Sequence, residues 1–290
     1  MKVHFKEGLI PILVGATGVG KTALSLQWAE QNHLSILSAD SMQVYRGMDI
    51  GTAKVSLVDR QDVKHYLIDI KNPDEPWSLN HFLEAAKPLL ASGQQLMIVG
   101  GTGLYIRALL QGYTMPESAA DPVFRERLYD RANREGILSL HQELEIIDPE
   151  SGASIKRSDA FRIIRALEII EQTGKKASEA KQQNPDKNRF QLIVLNRPRN
   201  EIYHRIEARV DTMIEKGLID EVKTLLDAGY DPSLPSLQGL GYKEIISYLM
   251  GAMTLTEAID LIKKRSRHFA KRQLTWYRSF VDAQWVNLEE

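Results

Sequence analysis

Gly15-Ala16-Thr17-Gly18-Val19-Gly20-Lys21-Thr22 follows the apolar run Leu9-Ile10-Pro11-Ile12-Leu13-Val14 and carries the spacing G-x-x-x-x-G-K-[ST]. Glycines at these places let successive backbone N–H groups turn toward one anion. Lys21 adds a point charge, Thr22 a hydroxyl suited to Mg²⁺, and the run Ala23–Ala29 a helix N-terminus. The chemistry is phosphate binding, and the loop alone does not say whose phosphate.

Two further strand ends carry reactive residue types. Ser35-Ile36-Leu37-Ser38 runs into Ala39-Asp40-Ser41-Met42-Gln43, and ligands of open α/β sheets bind outside the carboxyl ends of the strands, so Asp40 is expected to face the phosphate loop. Spacing leaves its carboxylate three roles: binding Mg²⁺, capping a helix, or taking a proton from a nucleophile. The second strand, Leu96-Met97-Ile98-Val99, ends in Gly100-Gly101-Thr102-Gly103 instead of the acidic residue that an ordinary P-loop hydrolase uses to hold its metal. That loop suits a second phosphate or a close-packed ligand better than a hydrolysis switch.

These ends need a sheet to position them. Strand-like runs at Leu9–Val14, Ser35–Ser38, His65–Ile70, Leu96–Val99 and Phe190–Leu195 alternate with helical patterns, the rhythm of a parallel α/β sheet. The rhythm breaks between Met115 and Asn188. Asp121-Pro122 is a helix start there, and helical spacing covers Val123–Glu135, Ile137–Ile146 and Asp159–Thr173. The reading is a P-loop NTPase-like core, 1–115 and 189–290, with an all-helical insertion, 116–188. Further helices are expected at Asn200–Lys216, Leu218–Ala228, Tyr242–Met250 and Leu255–Phe280.

Composition narrows the class. A net charge of −1 over 290 residues excludes binding nucleic acid through bulk charge alone, and the absence of cysteine excludes disulfides, thiolate metal sites and cysteine nucleophiles. No signal-peptide pattern and no run long enough to span a bilayer is visible, so a cytoplasmic protein without a membrane partner is expected. Charge is unevenly placed, however. Leu261–Arg278 holds seven Lys or Arg residues and no acid, a footprint for a phosphate backbone or else a solvated helix face.

Taken together, Gly15–Thr22, the run Ser38–Lys54 (SADSMQVYRGMDIGTAK), His65–Ile70 (HYLIDI), Val99–Ile106 (VGGTGLYI), Asp159–Glu168 (DAFRIIRALE), Gln238–Glu244 (QGLGYKE) and Lys271–Arg278 (KRQLTWYR) closely resemble bacterial tRNA dimethylallyltransferases, the tRNA isopentenyltransferases, in composition and order. The resemblance implies transfer of a dimethylallyl group from dimethylallyl diphosphate to N6 of the adenine 3′ of a tRNA anticodon, with Mg²⁺ as cofactor and a monomer as the working form. The P-loop then cradles a diphosphate rather than ATP. Asp40 matches the family's base, Thr102 a threonine beside the reacting adenine, Arg209 a cation for the leaving diphosphate, and Thr22 the metal-side hydroxyl.

The same resemblance assigns tRNA contact to Asp40, Ser41, Met42, Gln43, Thr102, Arg125, Phe161, Arg162, Arg165, Gln238, Gly241, Tyr242, Lys243, Lys271, Arg272, Gln273, Thr275, Trp276 and Arg278, with the insertion closing over the anticodon arm. Ala16, Gly18 and Val19 depart from the family's commoner loop but suit the cradle, whereas Ser158-Asp159-Ala160-Phe161 departs at the place where Phe161 would meet a base. Two rival readings are a P-loop kinase, with the insertion as its lid, and a nucleotide-gated RNA-binding module without covalent chemistry.

Overall fold

Continuous apolar runs such as Ile12-Leu13-Val14 and Met97-Ile98 suit strands buried on both faces, and in the computed structural model these residues have no solvent exposure. The structure describes residues 4–60, 62–114, 120–180, 182–186 and 189–288. In chain order these form β1 (Ile10–Gly15), α1 (Lys21–Gln31), β2 (Ser35–Ser38), β3 (His65–Tyr66), α2 (Leu79–Ala91), β4 (Leu96–Val99), α3 (Gly103–Leu110), β5 (Tyr113–Thr114), α4 (Pro122–Glu135) and α5 (Ile137–Ile147). There follow α6 (Pro149–Ser154), α7 (Ala160–Thr173), α8 (Ala177–Ala180), β6 (Gln182–Gln183), β7 (Phe190–Asn196), α9 (Arg199–Glu215), α10 (Leu218–Asp227), α11 (Tyr242–Leu249), α12 (Leu255–Tyr277) and β8 (Gln284–Asn287).

The chain divides into two compact units, Met1–Ala108 with Lys187–Glu290, and Leu109–Asp186. The first holds a six-stranded sheet, order β3-β2-β4-β1-β7-β8, in which every pairing is parallel. β1 and its neighbour β4 are central, so the loops after them leave the same edge, and β2 brings Asp40 to that edge as well. Leu13, Met97, Ile193 and Trp28 pack one core against α1, while Val44, Met48, Leu218, Tyr242 and Ile262 form a second among the C-terminal helices. Each such side chain, fully buried, contributes roughly 1.5–3 kcal/mol.

The second unit has its own core of Leu128, Leu140, Leu144, Ile163 and Leu167. Its α4 and α7 start on side-chain caps: Asp121 accepts the Phe124 amide at 3.0 Å and Asp159 the Arg162 amide at 3.2 Å, each cap contributing about 1 kcal/mol. Its boundary lies earlier than the sequence pattern indicates, at Leu109. The reason is local pairing: β5 and β6 run antiparallel, and the Asn184 amide donates to the Gly112 carbonyl at 3.1 Å, so the entering and leaving segments zip together. Two-residue strands carry no readable period.

The expected strand His65–Ile70 pairs with β2 at His65 and Tyr66 and extends no further. Leu67 and Asp69 then take left-handed φ of 61° and 56°, and the Ile70 and Lys71 amides both donate to the Val44 carbonyl. This turn presents the Asp69 carboxylate to Lys54 Nζ at 2.6 Å and Arg60 at 2.8 Å. Among the described residues no helix is long and apolar enough to cross a membrane.

Candidate active site

The phosphate loop closes on Gly20, whose φ of 105° is left-handed and which caps α1 without a side chain. The first amides of α1 have no intrahelical acceptor and open toward the loop's mouth. Lys21 folds back over the loop, its Nζ donating to the Gly15 and Ala16 carbonyls at 2.8 and 3.0 Å. The Val19 amide is already bonded to Ala16. Anion binding is therefore left chiefly to the amides at the start of α1, with Thr22 exposed beside them.

The second glycine loop is closely packed. A Cβ on Gly100 would lie 2.2 Å from the Ala39 carbonyl oxygen, and one on Gly103 would meet the Trp276 ring at 2.8 Å. Between them Thr102 Oγ1 accepts the Ser41 amide at 3.0 Å and lies 3.3 Å from the Ser41 hydroxyl. Asp40 completes the turn through Oδ1, which accepts the Met42 amide at 2.9 Å. Thr102 thus fixes the segment that presents Asp40.

Arg209, on α9, reaches across to donate from Nη1 to the Thr17 hydroxyl at 3.2 Å. Among the described residues it forms no ion pair. Burial, and secondarily the Arg209 guanidinium, push the Lys21 ammonium down to about 8, against the opposing pull of Asp40. Burial depresses Arg209 as well, and Asp40 again opposes. Two cations and one carboxylate held in this way leave a net positive site, the electrostatic complement of a polyanion.

These groups line two adjoining cavities. One, about 480 Å³, opens on the P-loop past Gly18, Gly20, Lys21, Thr22 and Gln43. The other, about 550 Å³, is walled by Ser41, Met42, Gly241, Tyr242, Lys243 and the apolar Ile206, Val210, Met213 and Ile262. Thr17, Asp40, Thr52, Gly101, Arg209 and Phe269 line both. Polar and apolar spaces therefore meet at Asp40 and Arg209.

The remaining expected RNA contacts separate into exposed and occupied groups. Lys271, Arg272, Thr275 and Arg278 are exposed on α12 or at its end. Earlier on the helix the positive charge is largely neutralised: Lys263 meets Asp211 at 2.6 Å, Arg265 pairs with buried Glu244, and Arg267 pairs with Glu207. Trp276 packs against Gly103 beneath the Arg107 guanidinium, 4.2 Å from the ring, rather than standing free for a base. Gln273 is buried, its amide turned inward to the Thr17 amide and the Gly101 carbonyl. Tyr242 is buried too, donating its hydroxyl to Glu221 at 2.7 Å; Gln238 is exposed and bonds Pro232.

In the second unit, Arg125 grips Glu168 with Nε and Nη2, both at 2.8 Å, and Arg165 meets the same carboxylate at 2.5 Å. Glu168 has no exposed side-chain surface. Burial pushes its carboxyl up, but the bonds from Arg125, the Asp121 amide and Arg165 hold it below the ordinary range. The trio keeps one net positive charge with both guanidinium groups fixed. Phe161 is 64% exposed, and among the described residues Arg162 forms an ion pair only with its neighbour Asp159.

Two positioning groups had no reading from sequence. Arg205 Nε donates to the Gly18 carbonyl at 2.8 Å, and its place one helical turn before Arg209 is a signal that could have found it. Glu221 accepts the consecutive amides of Asp49, Ile50 and Gly51 at 2.9, 2.7 and 3.1 Å, fixing the wall that carries Thr52. No local pattern announces that contact.

With this geometry in view, comparison with known proteins is specific. The family model described as IPP transferase matches residues 43–280, and one described as isopentenyl transferase matches residues 9–71. The tRNA dimethylallyltransferase of Acetivibrio thermocellus is 41% identical over 286 residues, covering 96% of this chain and 91% of that protein. The tRNA dimethylallyltransferase 2 of Geotalea uraniireducens is 45% identical, covering 96% and 92%. Among solved structures, the tRNA isopentenylpyrophosphate transferase of Bacillus halodurans superposes with a TM-score of 0.71 at 42% identity, covering 97% of this chain and 90% of that one. A eukaryotic dimethylallyltransferase acting on tRNA gives 0.79 at 25% identity, covering 97% and 74%. With a family model spanning most of its length and relatives above 40% identity along nearly all of it, the chain belongs to the IPP transferase family.

Proposed function

We infer that this chain is a tRNA dimethylallyltransferase, moving the five-carbon group from dimethylallyl diphosphate to N6 of the adenine 3′ of a tRNA anticodon. The observation that carries this reading is the meeting of two cavities at Asp40 and Arg209, one with the P-loop in its lining and one walled in large part by the apolar Ile206, Val210, Met213 and Ile262. Diphosphate enters from the loop side and a flipped-out adenine from the other. Extruding a base from a single-stranded loop costs less than from a duplex.

In the transfer, the bond between the prenyl C1 and the diphosphate oxygen breaks, its electron pair leaving with the diphosphate, while the N6 lone pair forms the new bond to C1. Adenine N6 is a weak nucleophile because its lone pair is delocalised into the ring. Asp40 takes the N6 proton as the C–N bond forms, an effect of roughly 10²–10⁴ in rate. Lys21, Arg209 and the amides opening α1 stabilise the departing charge. Thr102, beside Ser41, holds Asp40 in place and offers its hydroxyl to the amino group.

The residues fit Mg²⁺: Thr22 and Asp40 line the same cavity with hard oxygen donors, and this ion keeps most of its positions for phosphate oxygens and water. Thr22 would hold it, and the ion would supply additional positive charge against the diphosphate. On the tRNA side, Arg125 and Arg165 are pre-oriented by Glu168, and Lys271, Arg272, Thr275 and Arg278 offer exposed donors to the backbone. Cytoplasmic placement follows from the substrate. A cavity complete within one chain supports a monomer as the working unit.

The test is incubation with Mg²⁺, radiolabelled dimethylallyl diphosphate and unmodified tRNA bearing adenine at the target position, followed by nucleoside analysis, with ATP replacing the diphosphate in a parallel reaction. Label on adenosine N6 is expected. Absence of label together with phosphate transfer from ATP would replace the transferase with a kinase.

A further inference from the structure

Gln273 sits among α12 residues that face solvent, but it is only 6% exposed and its carboxamide joins two loops of the site. Oε1 accepts the Thr17 amide at 2.8 Å, and Nε2 donates to the Gly101 carbonyl at 2.9 Å. Tyr277, one turn on, donates its hydroxyl to the same carbonyl at 3.2 Å. The fit is close: a Cβ on Gly101 would lie 2.7 Å from Gln273 Nε2. A carboxamide supplies a donor and an acceptor on one planar group, and this site uses both.

Thr17 is consequently held twice, its amide by Gln273 and its hydroxyl by Arg209. Its N–H is not available to a phosphate oxygen. From Gly101 the connection continues through Thr102 to the Ser41 amide and so to the turn that presents Asp40. The path links the leaving-group side of the cavity to the nucleophile side.

We propose that Gln273 is a positioning residue of the diphosphate site, setting the P-loop against the Gly100–Gly103 loop and with it the separation of Arg209 from Asp40, rather than a contact to RNA. The inference rests on the transferase reading for the identity of the two sides. Its mechanism is geometric: a misplacement of about 1 Å in such a site costs on the order of 10²-fold in rate.

The experiment titrates magnesium pyrophosphate and tRNA separately onto the full chain, as wild type, Gln273→Met and Gln273→Glu, and measures single-turnover transfer. Gln273→Met removes two hydrogen bonds and is expected to raise the pyrophosphate Kd ~10-fold and slow transfer ~100-fold, with tRNA Kd and its salt slope within about twofold of wild type. Gln273→Glu keeps the acceptor for Thr17 but regains a donor only when protonated. Relative to wild type at each pH, its pyrophosphate affinity is expected to recover as pH falls and the carboxyl takes up its proton. Loss of tRNA affinity with pyrophosphate affinity unmoved would make Gln273 an RNA contact. Parallel loss of both without recovery in Gln273→Glu would make it a packing residue, and no change in either would leave it without a role. Each of these three results overturns the proposal. Pyrophosphate binding needs no prenyl transfer, so a wild type that binds it but labels no tRNA sinks the transferase reading without deciding this one.

Discussion

Arg209 and Arg125 carry the same guanidinium on helices of similar length, and their surroundings give it opposite uses. Arg209 touches a threonine hydroxyl and, among the described residues, no carboxylate within ion-pair distance, in a cavity it shares with Lys21. Arg125 is clamped bidentately on Glu168, together with Arg165. Positive charge left uncompensated at the P-loop is kept for a ligand. Positive charge spent on a buried carboxylate orders the insertion and presents two guanidinium groups at fixed angles. Residue type does not distinguish these arrangements; the partner does.

The most severe way to break the comparison is Glu168→Ala. Removing one partner of a buried pair leaves the others uncompensated and costs roughly 3–5 kcal/mol. Thermal unfolding with limited proteolysis should show early loss of residues 120–180 while pyrophosphate affinity stays within about twofold of wild type, because the phosphate loop belongs to the other unit. An unchanged unfolding profile would mean that the arginine clamp does not hold the insertion together.

At the P-loop the corresponding change acts on rate. Arg209→Ala should lower single-turnover transfer by roughly 10²–10³ with tRNA affinity nearly unchanged, since the charge it meets develops on the leaving diphosphate. Asp40→Asn should give a loss of similar order, within about 10²–10⁴, for want of a proton acceptor. If either variant turns over at the wild-type rate, that residue is not in the chemical step.

The sequence made one half of this comparison legible and left the other half unreadable. The P-loop, the strand ends at Ser38 and Val99 and the three longer helices of the insertion are local patterns, and the structure places each within a residue or two of its expected bounds, whereas the short α6 and α8 had no sequence reading. β8 reads Gln-Trp-Val-Asn, without the continuous apolar run that marks β4, and β5 and β6 are two residues each, too short for a period to register. What decides the use of a side chain is longer in range. Gln273 and Thr17 lie 256 positions apart, and Arg125 and Glu168 lie 43 apart. The run of seven cations near the C-terminus shows excess charge in sequence, whereas three of them are balanced by acids on α9 and α11.

Lys21 sharpens the electrostatic side of the comparison. With its ammonium at about 8 in the free protein, the charged form that greets a diphosphate is lost as pH rises through that value. A bound anion restores the ordinary preference for the charged form, so binding above pH 8 takes up a proton. Apparent diphosphate affinity should therefore fall about fivefold between pH 8 and pH 9 and about sevenfold between pH 9 and pH 10. Calorimetry in buffers of different ionisation enthalpy would measure the uptake directly. Lys21→Arg should flatten the profile, and a wild-type affinity that is level from pH 7 to 9 would show that Lys21 does not titrate there.

The smallest effects test whether the contrast between paired and unpaired cations also holds along α12. Arg265 pairs with Glu244, whose side chain has no exposed surface, whereas Arg272 is exposed and, among the described residues, forms no ion pair. Arg272→Ala should weaken tRNA binding a few-fold and reduce the magnitude of the salt slope by about one, the signature of a single lost phosphate contact. Arg265→Ala should instead lower thermal stability, because it strands a buried carboxylate, and leave the salt slope near wild type. The two substitutions remove the same charge from one helix three side-chain turns or less from each other, so bulk electrostatics predicts equal salt slopes. Equal slopes would locate RNA attraction in the net charge of the helix. Unequal slopes would locate it in those cations that the fold leaves without a carboxylate, the property that also sets Arg209 apart from Arg125.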